Sequence, residues 1–206
     1  MNYNIKITKN TDYSPTYWSG GMASELITYP EDSSFAERNF LWRMGFAKID
    51  IDTSSFSALP GIKRHLMVTD GQMTITHKDK YSKLLKPFMQ DFFMGDWVTT
   101  TEGRCSVLNL MTREDYDGTL LNVTIPKEGQ DNLNYTYPKD SSIVSICIHP
   151  LNTDIKCEVD TNSYKLEKGD LLCISITDLN ILPKIKFNNS NKFNADIVCG
   201  IILKNN

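Results

Sequence analysis

Apolar residues recur at every second position over short stretches of this chain, and almost no stretch sustains the i, i+3, i+4, i+7 spacing of an amphipathic helix over ten residues. The alternating runs predict strands at 4–8, 24–29, 41–51, 64–69, 72–77, 83–88, 105–112 and 120–125. Further strands are expected at 142–149, 155–159, 163–166, 171–176 and 196–203. Strands this short, punctuated by turn residues, argue for an antiparallel sandwich or barrel. Asp70-Gly71 is expected to form the two-residue turn of a hairpin that pairs Leu66-Met67-Val68 with Met73-Thr74-Ile75. Within 41–51 the apolar phase moves from Trp42, Met44 and Phe46 to Ala47, Ile49 and Ile51, which predicts a β-bulge near Phe46. Gly95-Asp96 and Gly169-Asp170 each lead into an apolar segment, which fits a duplicated barrel joined around Arg113 to Gly118, although Gly-Asp is a common turn dipeptide.

Composition narrows the function. The 206 residues carry 22 Lys+Arg against 25 Asp+Glu, a formal charge of −3, with the basic residues scattered among acids. That distribution argues against nucleic-acid binding, which relies on clustered cations. The longest apolar runs, Ile143 to Ile148 and Ile197 to Leu203, fall far short of the roughly 20 residues of a spanning helix. Asn2 to Asn10 is polar and lacks the apolar core of a secretion signal, so the expectation is a cytoplasmic protein without membrane partners. Five cysteines at 105, 147, 157, 173 and 199 are expected to be free thiols.

Candidate chemistry is sparse. Arg43 and Arg64 each lie inside an apolar strand pattern, where a guanidinium offers planar, paired donors that match a carboxylate. The competing reading, a strand-end arginine paired with Glu25 or Asp52, is favoured by the usual exposure of Arg. Trp18-Ser19-Gly20-Gly21, followed by Glu25, is either an ordinary turn with a packed Trp or one wall of a pocket. The three histidines, His65, His77 and His149, show neither His-x-His nor His-Glu-x-x-His spacing, so no metal and no other cofactor is expected. Cys147, His149 and Cys157 are the fallback metal candidates, with core packing the preferred reading. No Gly-x-Ser-x-Gly elbow occurs and no catalytic residue is assigned.

Five blocks in order resemble the HutD/Ves family of bacterial bicupins. They are Trp18-Ser19-Gly20-Gly21 with Glu25, Phe40-Leu41-Trp42-Arg43 with Ala47, Phe56-Ser57 through Pro60-Gly61 to Arg64, Phe93-Met94-Gly95-Asp96, and Leu108-Asn109-Leu110-Met111-Thr112-Arg113. The resemblance implies an all-β cupin double barrel of antiparallel strands with very little helix. It places an N-terminal barrel over 1–113 and a C-terminal one over 114–206, packed as one unit. It also implies that Arg64 is the primary contact for a small carboxylate, with Trp18, Glu25, Trp42, Arg43, Asn109 and Met111 lining the same site. Arg43 has the alternative role of holding Glu25 in place. The implied function is metal-free binding of a urocanate- or formylglutamate-like ligand, with a regulatory role in histidine utilisation. The alternatives are an enzyme acting on a small carboxylic acid in the same pocket, and a structural or stress-linked protein that dimerises through exposed strand edges.

Overall fold

The computed structural model describes residues 2–205, and among these the chain is built almost wholly of antiparallel strands, with one short 3-10 turn at Asn10–Asp12. Two compact units emerge. The first is Tyr13–Leu120. Its larger sheet runs, in spatial order, β2 (Thr16–Trp18), β3 (Gly21–Tyr29), β4 (Trp42–Ile49), β11 (Cys105–Arg113), β6 (Ile62–Gly71) and β9 (Gln90–Met94). Its smaller sheet runs β5 (Thr53–Ser55), β10 (Thr99–Glu102), β7 (Met73–His77) and β8 (Tyr81–Leu85). A core of Leu66, Val68, Met73, Ile75, Leu85, Phe93, Cys105 and Val107 draws on both sheets. Each such side chain contributes roughly 1.5–3 kcal/mol on full burial.

The second unit combines the segment ending at Asp12 with the chain from Leu121 onward. Its sheets are β1 (Tyr3–Thr8), β17 (Leu171–Ile176), β14 (Ser141–Pro150), β19 (Ala195–Asn205) and β12 (Tyr116–Ile125), and β13 (Gln130–Asn132), β18 (Ile185–Asn188), β15 (Ile155–Val159) and β16 (Asn162–Leu166). The boundary therefore falls inside β12, not at 113/114, and the first strand belongs with the C-terminal half. The cause is pairing, because β1 lies against β17 along its whole length, from Tyr3 opposite Ile176 to Thr8 opposite Leu171.

The duplication is exact in topology. Adding eight to each index converts the order β4-β11-β6-β9 into β12-β19-β14-β17, and β5-β10-β7-β8 into β13-β18-β15-β16. The Gly-Asp dipeptides are not its equivalent points, however. Gly95-Asp96 follows β9, whereas Gly169-Asp170 precedes β17, the counterpart of β9. The position matching Gly169 (φ 86°) is Phe88 (φ 66°), which keeps the left-handed conformation without the glycine.

Two local expectations are corrected. Asp70-Gly71 does not close a hairpin, for β6 pairs with β11 and β9 while β7 pairs with β10 and β8 in the other sheet. Of the two residues only Gly71 has positive φ (73°), and a β-carbon there would lie 2.5 Å from the Arg104 carbonyl oxygen. The glycine thus passes the chain from one sheet to the other. The bulge predicted near Phe46 lies on the neighbouring strand instead, where Glu25 faces Gly45 and Ile27 faces Met44, leaving Leu26 as the extra residue. In β4 the apolar pattern changes phase because Trp42, Arg43, Met44 and Gly45 are all buried, both faces of the strand being covered.

On the outer face of β6, Lys63 and His65 both hold Asp117, at 3.3 Å each. Burial opposes the charge on Asp117, but hydrogen bonds from His65, the Gly118 amide and Lys63 outweigh it and bring the pKa down to about 2. A depressed carboxylate stabilises the fold above its ordinary pKa and loses that contribution as the pH falls from about 4 to 2. Solvent access reduces the gain, so Asp117→Asn is expected to cost about 1 kcal/mol at pH 7. Denaturant titrations of both proteins should converge near pH 2.

All five cysteines are buried free thiols. Cys147 lies directly opposite Cys173, and Cys157 and Cys199 belong to the apolar core of the second unit. His149 gives its Nδ1 to the Asp170 carbonyl at 2.9 Å, and burial pulls its pKa down to about 4. No group of three or more His, Cys, Asp or Glu side chains is clustered for a metal ion among the described residues. No helix there is long and apolar enough to cross a membrane.

Candidate functional site

The site follows from strand parity. Arg43 on β4 faces Met111 on β11, Met111 faces Arg64 on β6, and Arg64 faces Phe93 on β9. These four form one cross-strand row, and side chains of alternate residues share a face. The next row on that face holds Gly45, Asn109 and Leu66, and the one after it Ala47, Val107 and Val68. A cavity of about 510 Å³ opens over this face, lined by Arg43, Arg64, Ala47, Val107 and Met111 together with Trp18, Glu25, Phe35 and the segment from Ser54 to Ser57.

Arg64 dominates its electrostatics. The residue is 5 % exposed, its guanidinium lies over the rings of Phe56 (4.5 Å) and Phe93 (5.0 Å), and its Nε has no hydrogen-bond partner. Among the described residues no carboxylate lies within ion-pair distance of it. Burial, and after it the charge of Arg43, pull its pKa from 12.5 to about 9. A buried cation with two aromatic faces and no counter-ion is costly, and a bound anion would supply the missing partner.

Arg43 is differently placed. Its Nε stands 3.3 Å from Glu25 Oε2, an ion pair without hydrogen-bond alignment, while Nη1 donates to Met111 Sδ at 3.7 Å. Phe35 stacks on its guanidinium at 4.5 Å. Burial lowers its pKa and Glu25 counters that. Gly45 makes this packing feasible, since a β-carbon there would stand 2.8 Å from Arg43 Nη2. Asp52, the other partner considered from sequence, is engaged by Arg104 at 2.8 Å.

Of the seven residues expected at the site, Arg64, Arg43, Glu25, Trp18 and Met111 line the cavity. Trp18 is half-exposed, and its ring lies over Gly20, where any side chain would collide with it. Asn109 occupies the same face between two lining residues but not the cavity wall, with its Oδ1 buried and without a hydrogen-bond partner. Trp42 must be removed from the site. Being adjacent to Arg43, it points to the opposite face of β4, where it stacks on Tyr29 at 5.7 Å. Sequence reasoning did not include Phe35 and Phe56, the rings over the two arginines. Phe56 stood within the quoted Phe-Ser to Arg block, whereas Phe35 lies in an irregular loop that carries no pattern.

Behind Arg64 lies a polar network. His77 is 4.6 Å from the Phe93 ring, gives Nε2 to Asp91 Oδ2 at 2.9 Å, and hydrogen-bonds Thr99 Oγ1 through Nδ1 at 2.8 Å. Tyr81 and Lys83 also donate to Asp91, at 3.2 and 3.4 Å. Because His77 comes from the smaller sheet and Asp91 and Phe93 from the larger, this network ties the sheets together beside the Arg64 cradle. Among the described residues the second unit has no buried arginine or lysine. Its corresponding strands β14 and β19 turn Ile143, Ile146, Ile148, Ile197, Cys199, Ile201 and Leu203 into an apolar core.

The donor set does not suit a divalent cation. Two guanidinia and one carboxylate, itself engaged by Arg43, line the cavity, with no imidazole or thiolate.

Solved structures share this architecture. A conserved protein of unknown function from Pseudomonas aeruginosa aligns over 97% of this chain and 98% of its own, with a TM-score of 0.77 and 17% identity. HutD from Pseudomonas fluorescens aligns over 98% and 100%, with a TM-score of 0.70 and 20% identity. The oxalate decarboxylase of Lactobacillus farciminis, with a TM-score of 0.68, 9% identity and coverage of 97% and 86%, identifies the fold as that of the cupins. The HutD family profile matches residues 10–192, which take in the whole of the first unit, every residue of the Arg64 cavity and the second unit except its first and last strands, and the chain belongs to the HutD family.

Proposed function

We propose that this protein binds one small carboxylate in the cavity of its first unit, without a metal, and that the bound state regulates histidine utilisation. The observation that carries the reading is Arg64, a deeply buried guanidinium that lines a cavity and has no counter-ion among the described residues. A carboxylate can accept both parallel N–H groups of one guanidinium, and such paired charge-assisted bonds are among the strongest polar contacts. Two relatives bear on the ligand. The Pseudomonas fluorescens HutD structure was obtained in a formate condition, and the Lactobacillus farciminis oxalate decarboxylase is a formate complex. Urocanate and formylglutamate are the candidate ligands that fit the family's association with histidine breakdown.

A thermal-shift screen tests the reading. At 100 times its dissociation constant, a ligand stabilises by about 2.7 kcal/mol, a shift of several degrees. Formate, urocanate and N-formylglutamate are compared on wild type and Arg64→Met, with EDTA and divalent metals alongside. The expected result is a shift by at least one acid that depends on Arg64. A shift by metals and by none of the acids would overturn the metal-free assignment. Conversion of the bound acid into a product would replace a binding protein by an enzyme.

A further inference from the structure

We infer that Cys147 and Cys173 form a reversible oxidation site in the second unit, at which a peroxide converts two thiols into a disulfide joining β14 to β17. The inference is independent of the carboxylate reading. Strand register carries it. In the antiparallel pairing of β14 with β17, Cys147 lies directly opposite Cys173. Directly opposed residues of such a pair have Cα atoms about 4.5 or 5.5 Å apart, and both values fall in the range of roughly 4.4–6.8 Å that a disulfide spans. The two thiols are already in hydrogen-bond contact.

Parity keeps the reaction out of the core. Ile146, Ile148, Leu172 and Ile174, the chain neighbours of the two cysteines, belong to the apolar core of the second unit, so Cys147 and Cys173 occupy the opposite face of the sheet. Their cross-strand row runs from Lys6 on the edge strand β1 through Cys173 and Cys147 to Gly200 on β19. Lys6 is exposed, Cys173 is 4% exposed and Cys147 is enclosed, so a small oxidant meets Cys173 first. Gly200 places no side chain beside Cys147, which leaves its sulfur room to turn toward Cys173. The other three cysteines lack this arrangement. Cys157 stands opposite Tyr164 and Phe187, Cys199 opposite Ile148, and Cys105 opposite Ile49 and Gly71.

With hydrogen peroxide the chemistry closes in two steps. The Cys173 sulfur attacks one peroxide oxygen and breaks the O–O bond, giving a sulfenic acid, while the departing hydroxide takes the thiol proton and leaves as water. The Cys147 sulfur then displaces the sulfenic oxygen, which leaves with the Cys147 proton as a second water, and the S–S bond forms. Two thiols are oxidised by two electrons and one peroxide is reduced to two waters. Contact with Cys173 and burial hold the Cys147 thiol well above the ordinary thiol range, which suits it to the second step and not the first.

The test exposes the reduced full chain to excess hydrogen peroxide, then denatures it, alkylates the remaining thiols and maps the peptides. Two of the five thiols should be lost, with a single link between Cys147 and Cys173. The melting temperature should rise by several degrees, because the bridge restrains the unfolded chain, and dithiothreitol should reverse the rise. Cys147→Ser and Cys173→Ser should each abolish it, and either variant suffices should the other not fold. Five thiols remaining, a link between any other pair, or a peroxide-induced rise that persists in either variant overturns the inference. Oxidation of Cys173 past the sulfenic acid without a bridge overturns it as well.

Discussion

Arg64→Met is expected to raise the melting temperature of the ligand-free protein while lowering carboxylate affinity by roughly 30-fold or more. The loss follows from removing charge-assisted hydrogen bonds, worth about 1.5–3 kcal/mol each. The gain has the same origin as the site. Burial and the nearby Arg43 pull the Arg64 pKa to about 9, so the folded chain bears a cost for keeping this cation protonated. Below pH 9 the group is protonated in both folded and unfolded chains, and the cost is present in full. Methionine is similar in length and suits a surface already formed by Phe56 and Phe93. Replacing even a paired buried charge, together with its partner, by packed apolar groups is often neutral or stabilising by about 1–4 kcal/mol, and an unpaired one has less to lose. Calorimetric melting with and without ligand checks both halves. A variant that melts lower than wild type and still binds would show that Arg64 is a structural cation.

Asp91→Ala is expected to be the most damaging single change in the first unit. Asp91 is 6% exposed and its carboxylate accepts from His77, Tyr81 and Lys83, so its loss leaves Nε2 of a buried imidazole without a partner while Nδ1 keeps Thr99. Breaking such a pair by removing one member costs about 3–5 kcal/mol, on the order of 10 °C in melting temperature. The double replacement His77→Phe with Asp91→Leu should recover part of this, because two apolar groups leave no orphaned donor. Where the single variant still folds, carboxylate binding should weaken as well, since His77 packs on Phe93 and Phe93 supports Arg64. Chemical denaturation of the two variants decides the point. A double variant no more stable than Asp91→Ala would show that packing, not polar pairing, holds the sheets together there.

Strands with clean alternation were legible in the sequence because one face meets the core. Two of those that escaped break the rule, whereas β18, Ile185 to Asn188, alternates cleanly but is only four residues long. β9 carries buried Asp91 on the face where an apolar residue is expected, and β10, Thr99 to Glu102, is wholly polar. Both make sense only through the His77 network, which joins residues distant in sequence. Asp70-Gly71 has the composition of a hairpin turn, and nothing local reveals that the strand after it enters the other sheet. At the site, Arg43 and Arg64 were visible as cations within apolar patterns. Their common face was not, because it depends on Met111 lying opposite both. Trp42 was misplaced for the simplest reason, a shift of one residue along a strand being a change of face.

The central claim is one Arg64-dependent carboxylate site per chain, in the first unit only. Isothermal titration of wild type and Arg64→Met with the best acid from the thermal screen tests it most directly. The account predicts one molecule bound per wild-type chain and at least a 30-fold weaker isotherm for the variant. Two molecules per chain, or equal affinity in both proteins, would contradict it.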